Sequence, residues 1–466
     1  MKIVEMLNSI VKDELISFHV PGHKLGKIYD KLGYTEIMKN LYKIDTTEIE
    51  GTDNLHLPEG IIKESQENTA KVFNSDYTYY LINGTTCGIE AAIMSVCSPK
   101  DKIIVNRDCH QSVINACILG DIEPIYIQPK IDEDTYILKG IDFINTKKVI
   151  DNNLDAKAIL LTYPTYYGNT YNLKEICEYA KQKDMIIIVD EAHGSHLGLG
   201  EELPSSAITQ GADIVIQSTH KTLPALTQAS MLHIKGNKID KNKLSSVLRM
   251  LQTSSPSYVL LSSIEIGVDI YEKYGRELMD KLIKNINTFV EEVSEIKNID
   301  IYCGEDKTKI FISAKELGIT GYKLDEILRK NYNIQVELSN YYGSLLICTI
   351  ANENSDFLEL QKALLDISNK NSKNTLEKID FKMNIPQKKI NPRQAYYSKT
   401  KTVLIEDSIG KVSGEYIIPY PPGISLISPG EIITKEVIDY IILCKEKGMN
   451  INGIKDTNLK FIDIIE

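Results

Sequence analysis

One lysine stands directly after a largely apolar run, and its position suggests imine chemistry. Lys221 lies in the segment Ser-Thr-His-Lys-Thr at 218–222, which follows residues 212–216. Burial lowers the pKa of a lysine, and the neutral amine is the form that attacks a carbonyl. A lysine exposed in a loop is the ordinary alternative, since lysine is rarely buried without a partner. Lys221 is therefore a candidate nucleophile.

An acid ends another apolar run upstream. Residues 186–189 are Ile-Ile-Ile-Val, and Asp190, Glu191, Ala192 and His193 follow them. An aspartate here could bind a metal, cap a helix or face a cationic ring nitrogen. Facing a pyridinium, it would keep that nitrogen protonated, so that the ring can accept electrons from a substrate's Cα. Ala192 would then be a small contact under the ring, and His193 could reach the ring's phenolic oxygen.

A small polar turn leads from a predicted strand into a predicted helix at 89–94. Residues 81–88 read Leu-Ile-Asn-Gly-Thr-Thr-Cys-Gly. The N–H groups of Gly84 and its neighbours, with the Thr85 and Thr86 hydroxyls, could bind a phosphate at the start of this helix. A plain helix N-cap is the alternative. The turn lacks the lysine of a P-loop and the spacing of a dinucleotide-binding fingerprint.

A histidine follows a further apolar run. His110 comes after residues 103–105, and Cys109 precedes it. Its imidazole could lie flat over a cofactor ring, or it could make a structural hydrogen bond. The tyrosine-rich segment 162–168 follows another apolar run in the same way.

These candidate residues occupy equivalent places in the predicted sheet, because each follows the end of one of its strands. Short apolar runs alternate with helix-like stretches from about residue 76 to residue 217, which is typical of parallel strands joined by crossover helices. Because the runs are apolar at consecutive positions, helices should cover both faces of the sheet, and a ligand should bind beyond the carboxyl ends of the strands. A lysine, an acid, a phosphate turn and a ring-stacking histidine at that edge together predict a pyridoxal 5′-phosphate site. The predicted strands are residues 79–81, 102–105, 124–127, 158–162, 186–189 and 214–216.

The chain is too long for one ordinary core, since it has 466 residues. A long periodic stretch at 258–296 predicts a helix that leads into a second domain, and the Lys- and Asn-rich residues 369–374 predict a linker. We expect a large α/β domain with a mainly parallel sheet, a small α/β domain and a C-terminal α+β domain. The predicted boundaries are 1–60 for an N-terminal arm, 61–285 for the large domain, 286–372 for the small domain and 379–466 for the C-terminal domain.

Composition argues against several classes of protein. The formal net charge is −11 without a basic block, which disfavours a nucleic-acid partner. Apolar runs fall short of the roughly 20 residues of a membrane span, and the N-terminus does not resemble a signal peptide, so we expect a cytoplasmic protein. The 8 cysteines form no C-x-x-C pair, which predicts reduced thiols and no metal site.

These motifs make the chain resemble a short member of the ornithine/lysine/arginine decarboxylase family, whose members are fold-type I pyridoxal-phosphate enzymes with an aspartate-aminotransferase-like fold. The resemblance covers nearly the whole chain. Its most specific motifs are Ser-x-His-Lys at 218–221 and Tyr-Pro-Pro-Gly-Ile at 420–424. The other motifs are Phe-His-Val-Pro-Gly-His-Lys at 18–24, Gly-Thr-Asp-Asn-Leu-His at 51–56, Asp-Glu-Ala-His at 190–193, Ser-Ser-Pro-Ser-Tyr at 254–258 and Pro-Gly-Glu at 429–431.

The resemblance implies a role for each candidate residue. Lys221 would carry the cofactor as a Schiff base, Asp190 would pair with the pyridine nitrogen, and His110 would stack on the ring. Such sites form at a subunit interface, so the resemblance implies a homodimer or a dimer of dimers. The remaining implied cofactor-binding residues are Gly84, Thr85, Thr86, Ala192, His193, Ser218 and His220, with Thr253 and Ser254 reaching a neighbouring subunit's site.

The resemblance has two departures. The family often has lysine after the stacking histidine, where this chain has Gln111. The N-terminal receiver-like wing domain of the large inducible members is absent, so there is no basis for predicting their decameric assembly.

The implied reaction is decarboxylation of a basic L-amino acid, with arginine favoured over lysine and ornithine. Glu415 and Glu431 are candidates for the residue that binds the substrate's distal cation. An aminotransferase is one alternative, and Arg393 would be its carboxylate clamp. A pyridoxal-phosphate-binding protein without turnover is the other alternative, although the presence of both Lys221 and Asp190 argues against it.

Overall fold

The computed structural model describes residues 1–379, 384–420 and 425–466. Residues 421–424 of the Tyr-Pro-Pro-Gly-Ile motif therefore lie outside the described residues. The chain begins with short elements that lead to the large domain. They are α1 (Lys2–Lys12), β1 (Ile16–Phe18), α2 (Lys27–Leu32), α3 (Thr35–Lys39) and α4 (Leu41–Ile44).

The large domain is built on a seven-stranded sheet with the order β2-β10-β9-β8-β7-β3-β4. The strands from β9 to β4 are parallel, whereas β10 is antiparallel to both its neighbours. The six predicted strands are confirmed, and β10 was not predicted. The elements are α5 (Ile61–Val72), β2 (Tyr77–Leu81), α6 (Gly84–Val96), β3 (Lys102–Asn106), α7 (Gln111–Gly120), β4 (Glu123–Ile127), β5 (Lys130–Ile131), β6 (Leu138–Gly140), α8 (Phe143–Asp151), β7 (Ala158–Thr162), α9 (Leu173–Gln182), β8 (Ile186–Asp190), β9 (Ile214–Gln217), α10 (Thr219–Thr222), β10 (Ser230–Ile234) and α11 (Lys241–Leu251).

Both faces of this sheet are buried. Ile187 and Val189 of β8 belong to the core cluster on one face, whereas Ile188 belongs to the cluster on the other face. Side chains alternate between the two faces of a strand, so a run of consecutive apolar residues requires cover on both sides. The prediction of helices on both faces is confirmed.

A long helix connects the large and small domains. α12 (Tyr258–Ser294) has 37 residues and starts at Ser257, whose Oγ accepts a hydrogen bond from the Leu260 N–H. The helix is continuous across the predicted boundary at 285/286, and that boundary stays a prediction. The following elements are β11 (Asp300–Cys303), β12 (Lys309–Ser313), α13 (Gly321–Tyr332), β13 (Ile334–Val336), β14 (Leu338–Ser339), β15 (Ser344–Ile347) and α14 (Asn354–Lys370).

The small domain has a four-stranded antiparallel sheet with the order β11-β12-β15-β14. Near the N-terminus of the chain, β1 pairs in parallel with β13, which brings the N-terminal arm onto this domain. Helix α14 ends at Lys370, so the predicted linker at 369–374 begins two residues too early.

The C-terminal region consists of α15 (Pro392–Tyr397), β16 (Thr400–Leu404), β17 (Ile418–Tyr420), α16 (Lys435–Glu446), β18 (Asn450–Asn452) and β19 (Phe461–Ile465). Its apolar residues share one core cluster with side chains of the other domains, including Tyr167 and Phe311. Among the described residues, no helix is both long and apolar enough to cross a membrane.

A buried ion pair also joins this region to the large domain. The Arg107 guanidinium donates to both oxygens of Glu431, at 2.6 and 2.7 Å, and to the Ser425 carbonyl at 2.9 Å. Burial opposes the charge of Arg107, yet Glu431 raises the pKa of the guanidinium above its ordinary value. Glu431 also accepts a hydrogen bond from the Ser428 N–H at 2.8 Å. Its assignment to the substrate's distal cation is therefore wrong, because both carboxylate oxygens already serve this contact.

Glu415 and Arg393 have structural partners as well. The two Glu415 oxygens accept hydrogen bonds from the Lys455 and Asp463 N–H groups, at 3.0 and 2.9 Å, so Glu415 closes a turn inside the C-terminal region. These contacts tie Glu415 to the C-terminal region and none joins it to a candidate site residue, so its assignment to the distal cation stays a prediction. Arg393 donates to the Ile118 and Leu119 carbonyls at the end of α7, at 2.8 and 2.9 Å. A residue that caps a helix in this way does not clamp a substrate carboxylate.

Breaking the Arg107–Glu431 pair should destabilise the fold. Glu431→Gln leaves a buried guanidinium without its counter-charge, so the free energy of unfolding should fall by about 3–5 kcal/mol in urea denaturation followed by circular dichroism. Asp439→Asn is the matched control, since it breaks the exposed Lys435–Asp439 pair and should cost less than about 1 kcal/mol. If both variants lost the same free energy of unfolding, the buried pair would contribute no more stability than an exposed one, which would contradict this account.

Candidate active site

The parallel strands end at one edge of the sheet, where the candidate residues meet. Asp190 is the last residue of β8 and lies opposite Thr162 of β7 and Ile216 of β9 in the strand register. Lys221 follows β9 in the short helix α10, and His110 follows β3 just before α7. The side chains therefore approach one another because neighbouring strands stop at the same level.

The Lys221 amine lies against an imidazole. Its Nζ is 2.9 Å from His193 Nε2, and the side chain is half-buried. Burial lowers the pKa of Lys221; the charges of Asp190 and Glu337 raise it and that of Lys309 lowers it further, with a net decrease. A lowered pKa keeps a larger share of the amine neutral, which is the nucleophilic form.

His193 is itself held neutral. Burial and the nearby Lys221 lower the pKa of its imidazole well below the ordinary value. The Tyr166 ring lies 4.3 Å from it, centroid to centroid, and no described residue hydrogen-bonds to Nδ1. His193 is thus a neutral base or acceptor beside the amine.

Asp190 supplies a buried carboxylate. It is 4% exposed, and its Oδ1 accepts a hydrogen bond from the Ala192 N–H at 3.1 Å. No described residue donates to Oδ2, which leaves that oxygen available to a cationic ligand. Glu191 beside it has a structural role, because it accepts hydrogen bonds from Ser206, Ala207 and Gln217.

The start of α6 forms an anion cradle. Its N-cap residue, Asn83, makes no side-chain capping hydrogen bond, so the first N–H groups of the 13-residue helix have no side-chain cap. Thr85 Oγ1 lies 2.9 Å from Ser218 Oγ, which brings the start of α6 next to α10. Gly84 has a φ of +74°, a conformation that glycine adopts readily. Thr86 is exposed at the same turn.

His110 caps α7. Its Nδ1 accepts a hydrogen bond from the Ser112 N–H at 3.2 Å and lies 2.8 Å from Ser112 Oγ, while the side chain remains exposed. Partial desolvation of the ring lowers the pKa of His110, and the charges of Asp190 and Lys221 act on it in opposite directions. His110 therefore lies near enough to the amine and the carboxylate for both charges to act on it.

The positions of His220, Thr253 and Ser254 are set by other contacts. His220 Nδ1 lies 2.9 Å from the Ala229 carbonyl, and burial lowers the pKa of His220 to about 4. Thr253 and Ser254 are exposed, and Gln252 before them accepts a hydrogen bond from the Ile82 N–H at 2.9 Å. The segment thus lies beside the anion cradle but faces away from the protein.

The N-terminal motif at 18–24 covers the Lys221 loop. The Gly22 N–H donates to the His220 carbonyl at 2.7 Å, and a Cβ at Gly22 would lie 2.5 Å from the Leu223 carbonyl oxygen. Lys24 is 1% exposed, and its ammonium donates to the His19 and Ile347 carbonyls. Burial lowers the pKa of Lys24 to about 8.

A second buried cluster lies behind His193 and was not predicted. His196 Nε2 and Lys309 Nζ lie 3.1 and 3.2 Å from the two Asp306 oxygens, and all three residues are at most 1% exposed. Burial alone would raise the pKa of the Asp306 carboxyl, but His196 and Lys309 hold it well below its ordinary value. The cluster joins the loop after β8 to the small domain. No linear pattern marks it, because His196 lies 110 residues before Asp306.

The donor set fits pyridoxal phosphate. An amine with a lowered pKa, a buried carboxylate with an available oxygen and a helix N-terminus without a side-chain cap match the aldehyde, the ring nitrogen and the phosphate of that cofactor. No cluster of three or more His, Cys, Asp or Glu residues suited to a metal occurs among the described residues.

Comparison with known proteins gives a consistent result. The Orn/Lys/Arg decarboxylase major domain matches residues 2–310, and the C-terminal domain of the same family matches residues 374–457. The chain is 36% identical to an arginine decarboxylase of Bacillus subtilis over 466 residues, which cover 97% of this chain and 95% of that protein. It is 25% identical to the constitutive lysine decarboxylase of Escherichia coli, over 96% of this chain and 78% of that protein.

The fold is also found in a solved structure. The lysine decarboxylase of Francisella novicida superposes with a TM-score of 0.81 at 22% identity, and covers 96% of this chain and 78% of its own. The predicted fold-type I, aspartate-aminotransferase-like architecture is confirmed.

The lowered pKa of Lys221 should be visible as reactivity. Cyanate carbamylates neutral amines, so in the protein free of cofactor at pH 8 we expect Lys221 to react faster than the exposed Lys435. Asp190→Asn removes a charge that raises this pKa, and should accelerate the reaction further. Peptide mass spectrometry measures both rates. A rate at Lys221 no greater than at Lys435, unchanged by Asp190→Asn, would contradict the lowered pKa.

Proposed function

The chain belongs to the ornithine/lysine/arginine decarboxylase family and is a decarboxylase of a basic amino acid, and we propose that it uses pyridoxal 5′-phosphate and acts on L-arginine. The observation that carries the cofactor assignment is the contact between Lys221 and His193, at the strand edge that also holds Asp190 and the uncapped start of α6. The preference for arginine rests on the 36% identity to the arginine decarboxylase of Bacillus subtilis.

Several residues would hold the cofactor. Lys221 would attach it covalently, and Asp190 would keep the ring nitrogen protonated through its available oxygen. His110 and Ala192 would contact the two ring faces, and His193 would lie near the phenolic oxygen. The phosphate would be bound by Gly84, Thr85, Thr86, Ser218 and His220.

When bound, pyridoxal phosphate supplies a ring that accepts the electron pair released when the bond between Cα and the carboxylate breaks. The chain's own residues then direct the reaction. His110 would exclude water from the face of the ring that it covers. The Lys221 amine, whose pKa is lowered by burial, can take up a proton and deliver it to Cα after carbon dioxide leaves. His193 would orient that amine through the 2.9 Å contact.

The alternatives are less well supported. An aminotransferase would need a carboxylate clamp, and Arg393 instead caps α7. A binding protein without turnover would not require an amine with a lowered pKa beside a neutral histidine.

We also propose a homodimer or a dimer of dimers. Thr253 and Ser254 are exposed beside the anion cradle, where a segment could reach a second subunit's phosphate. The domain boundaries and the cytoplasmic location stay predictions.

Amine release is the test of the proposed reaction. Purified protein with pyridoxal phosphate should convert arginine to agmatine in preference to forming cadaverine from lysine or putrescine from ornithine, as measured by mass spectrometry. Lys221→Ala should reduce the rate by at least about 1,000-fold, because it removes both the attachment point and the proton donor. Lys435→Ala on the exposed face of α16 should leave the rate unchanged. No amine from any of the three substrates would overturn the decarboxylase assignment.

A further inference from the structure

An acid of the small domain reaches the edge of the site. Glu337 lies between β13 and β14 and is half-buried. The parallel pairing of β1 with β13 brings the N-terminal arm beside it, and the Val20 N–H donates to Glu337 Oε2 at 2.9 Å. Glu337 therefore lies where the N-terminal motif passes over the Lys221 loop.

A chain of contacts links this carboxylate to the amine. The Tyr166 hydroxyl donates to Glu337 Oε1 at 2.6 Å, and the Tyr166 ring lies 4.3 Å from the His193 ring. His193 in turn lies 2.9 Å from Lys221 Nζ. Glu337 and Asp190 are the acids whose charges raise the pKa of Lys221. Asp190 ends strand β8, whereas Glu337 lies in the small domain beside the N-terminal arm, so the two acids approach the amine from different elements.

The other acids around the site have cationic or multiple donor partners. Asp306 is paired with both His196 and Lys309, and Glu191 accepts three hydrogen bonds. Glu431 is neutralised by Arg107. Glu337, by contrast, forms no salt bridge with a described residue, and each of its oxygens accepts one hydrogen bond from a neutral donor.

The carboxylate has acceptor capacity left. Two carboxylate oxygens offer about four lone-pair sites, and two of these are used by neutral donors. A guanidinium presents parallel N–H donors that match two carboxylate oxygens, and a charge-assisted pair of this kind is stronger than a neutral hydrogen bond. The two existing contacts fix the carboxylate in place for such a ligand.

We propose that Glu337 is the specificity residue that receives the guanidinium of the substrate, with Tyr166 and the Val20 N–H holding the carboxylate toward the site. This inference rests on the proposed function, since it assigns the distal group of the proposed substrate. Glu337 takes the place that Glu431, neutralised by Arg107, does not fill.

The test compares two ligands that differ only in the distal group, which is charged in one and neutral in the other. Agmatine keeps the guanidinium of arginine, whereas N-carbamoylputrescine has a neutral urea group, and neither can be decarboxylated. Calorimetry on the cofactor-loaded protein should give a Kd for agmatine that rises about 100-fold in Glu337→Gln, with little change for the neutral ligand. Glu337→Asp should retain part of the preference, and Glu359→Gln, an exposed acid of α14, should behave as wild type.

The outcomes distinguish recognition of the guanidinium by Glu337 from a purely structural contact between Glu337 and the N-terminal arm. If Glu337 only ties the N-terminal arm to Tyr166, Glu337→Gln should raise the Kd of both ligands by the same factor. Tyr166→Phe should then raise both Kd values in the same way. This result overturns the proposal. An unchanged agmatine Kd overturns it as well. If Glu337→Gln fails to fold, the proposal requires that Glu337→Asp raise the Kd of agmatine by a factor about tenfold larger than the factor for the neutral ligand. A protein that binds agmatine selectively through Glu337 but releases no amine would instead refute the proposed reaction.

Discussion

The contact between Lys221 Nζ and His193 Nε2, at 2.9 Å, is the interaction on which the rest of the site depends. It places an amine where burial lowers its pKa and a neutral imidazole where it can accept a proton or a hydrogen bond. An isolated lysine would not stay there, because a buried ammonium is costly without compensating charge. The nearby acids, Asp190 and Glu337, keep that cost moderate without restoring the ordinary pKa.

Four features of the chain hold this contact in position. The strand register sets Asp190 at the end of β8, and the first turn of α6 approaches α10 through Thr85 and Ser218. The N-terminal motif closes over the loop at Gly22, where a side chain would not fit against Leu223. The buried pairing of His196 and Lys309 with Asp306 fastens the loop after β8 to the small domain. The loop that carries His193 is therefore also the loop that packs the large domain against the small domain.

Sequence patterns predicted what depends on local, consecutive residues. Buried runs such as 186–189 identify strands because both faces must be apolar, and their ends mark where ligands bind. The antiparallel β10 was missed because Ser230 and His233 interrupt its apolar run. The start of α6 was placed five residues too late because Gly84, Thr85 and Thr86 are weak helix formers. The partners of Glu337 and Glu431 could not be predicted, since Tyr166 and Arg107 are 171 and 324 residues away from them.

The central claim is that the amine of Lys221 is the one that binds pyridoxal phosphate. Borohydride reduction of the protein with that cofactor fixes it to whichever lysine holds it, and peptide mass spectrometry then locates it. The structure predicts a single modified residue, Lys221, at one cofactor per chain. Modification centred on Lys24 or Lys309, or spread over exposed lysines with Lys221 unmodified, would contradict the account.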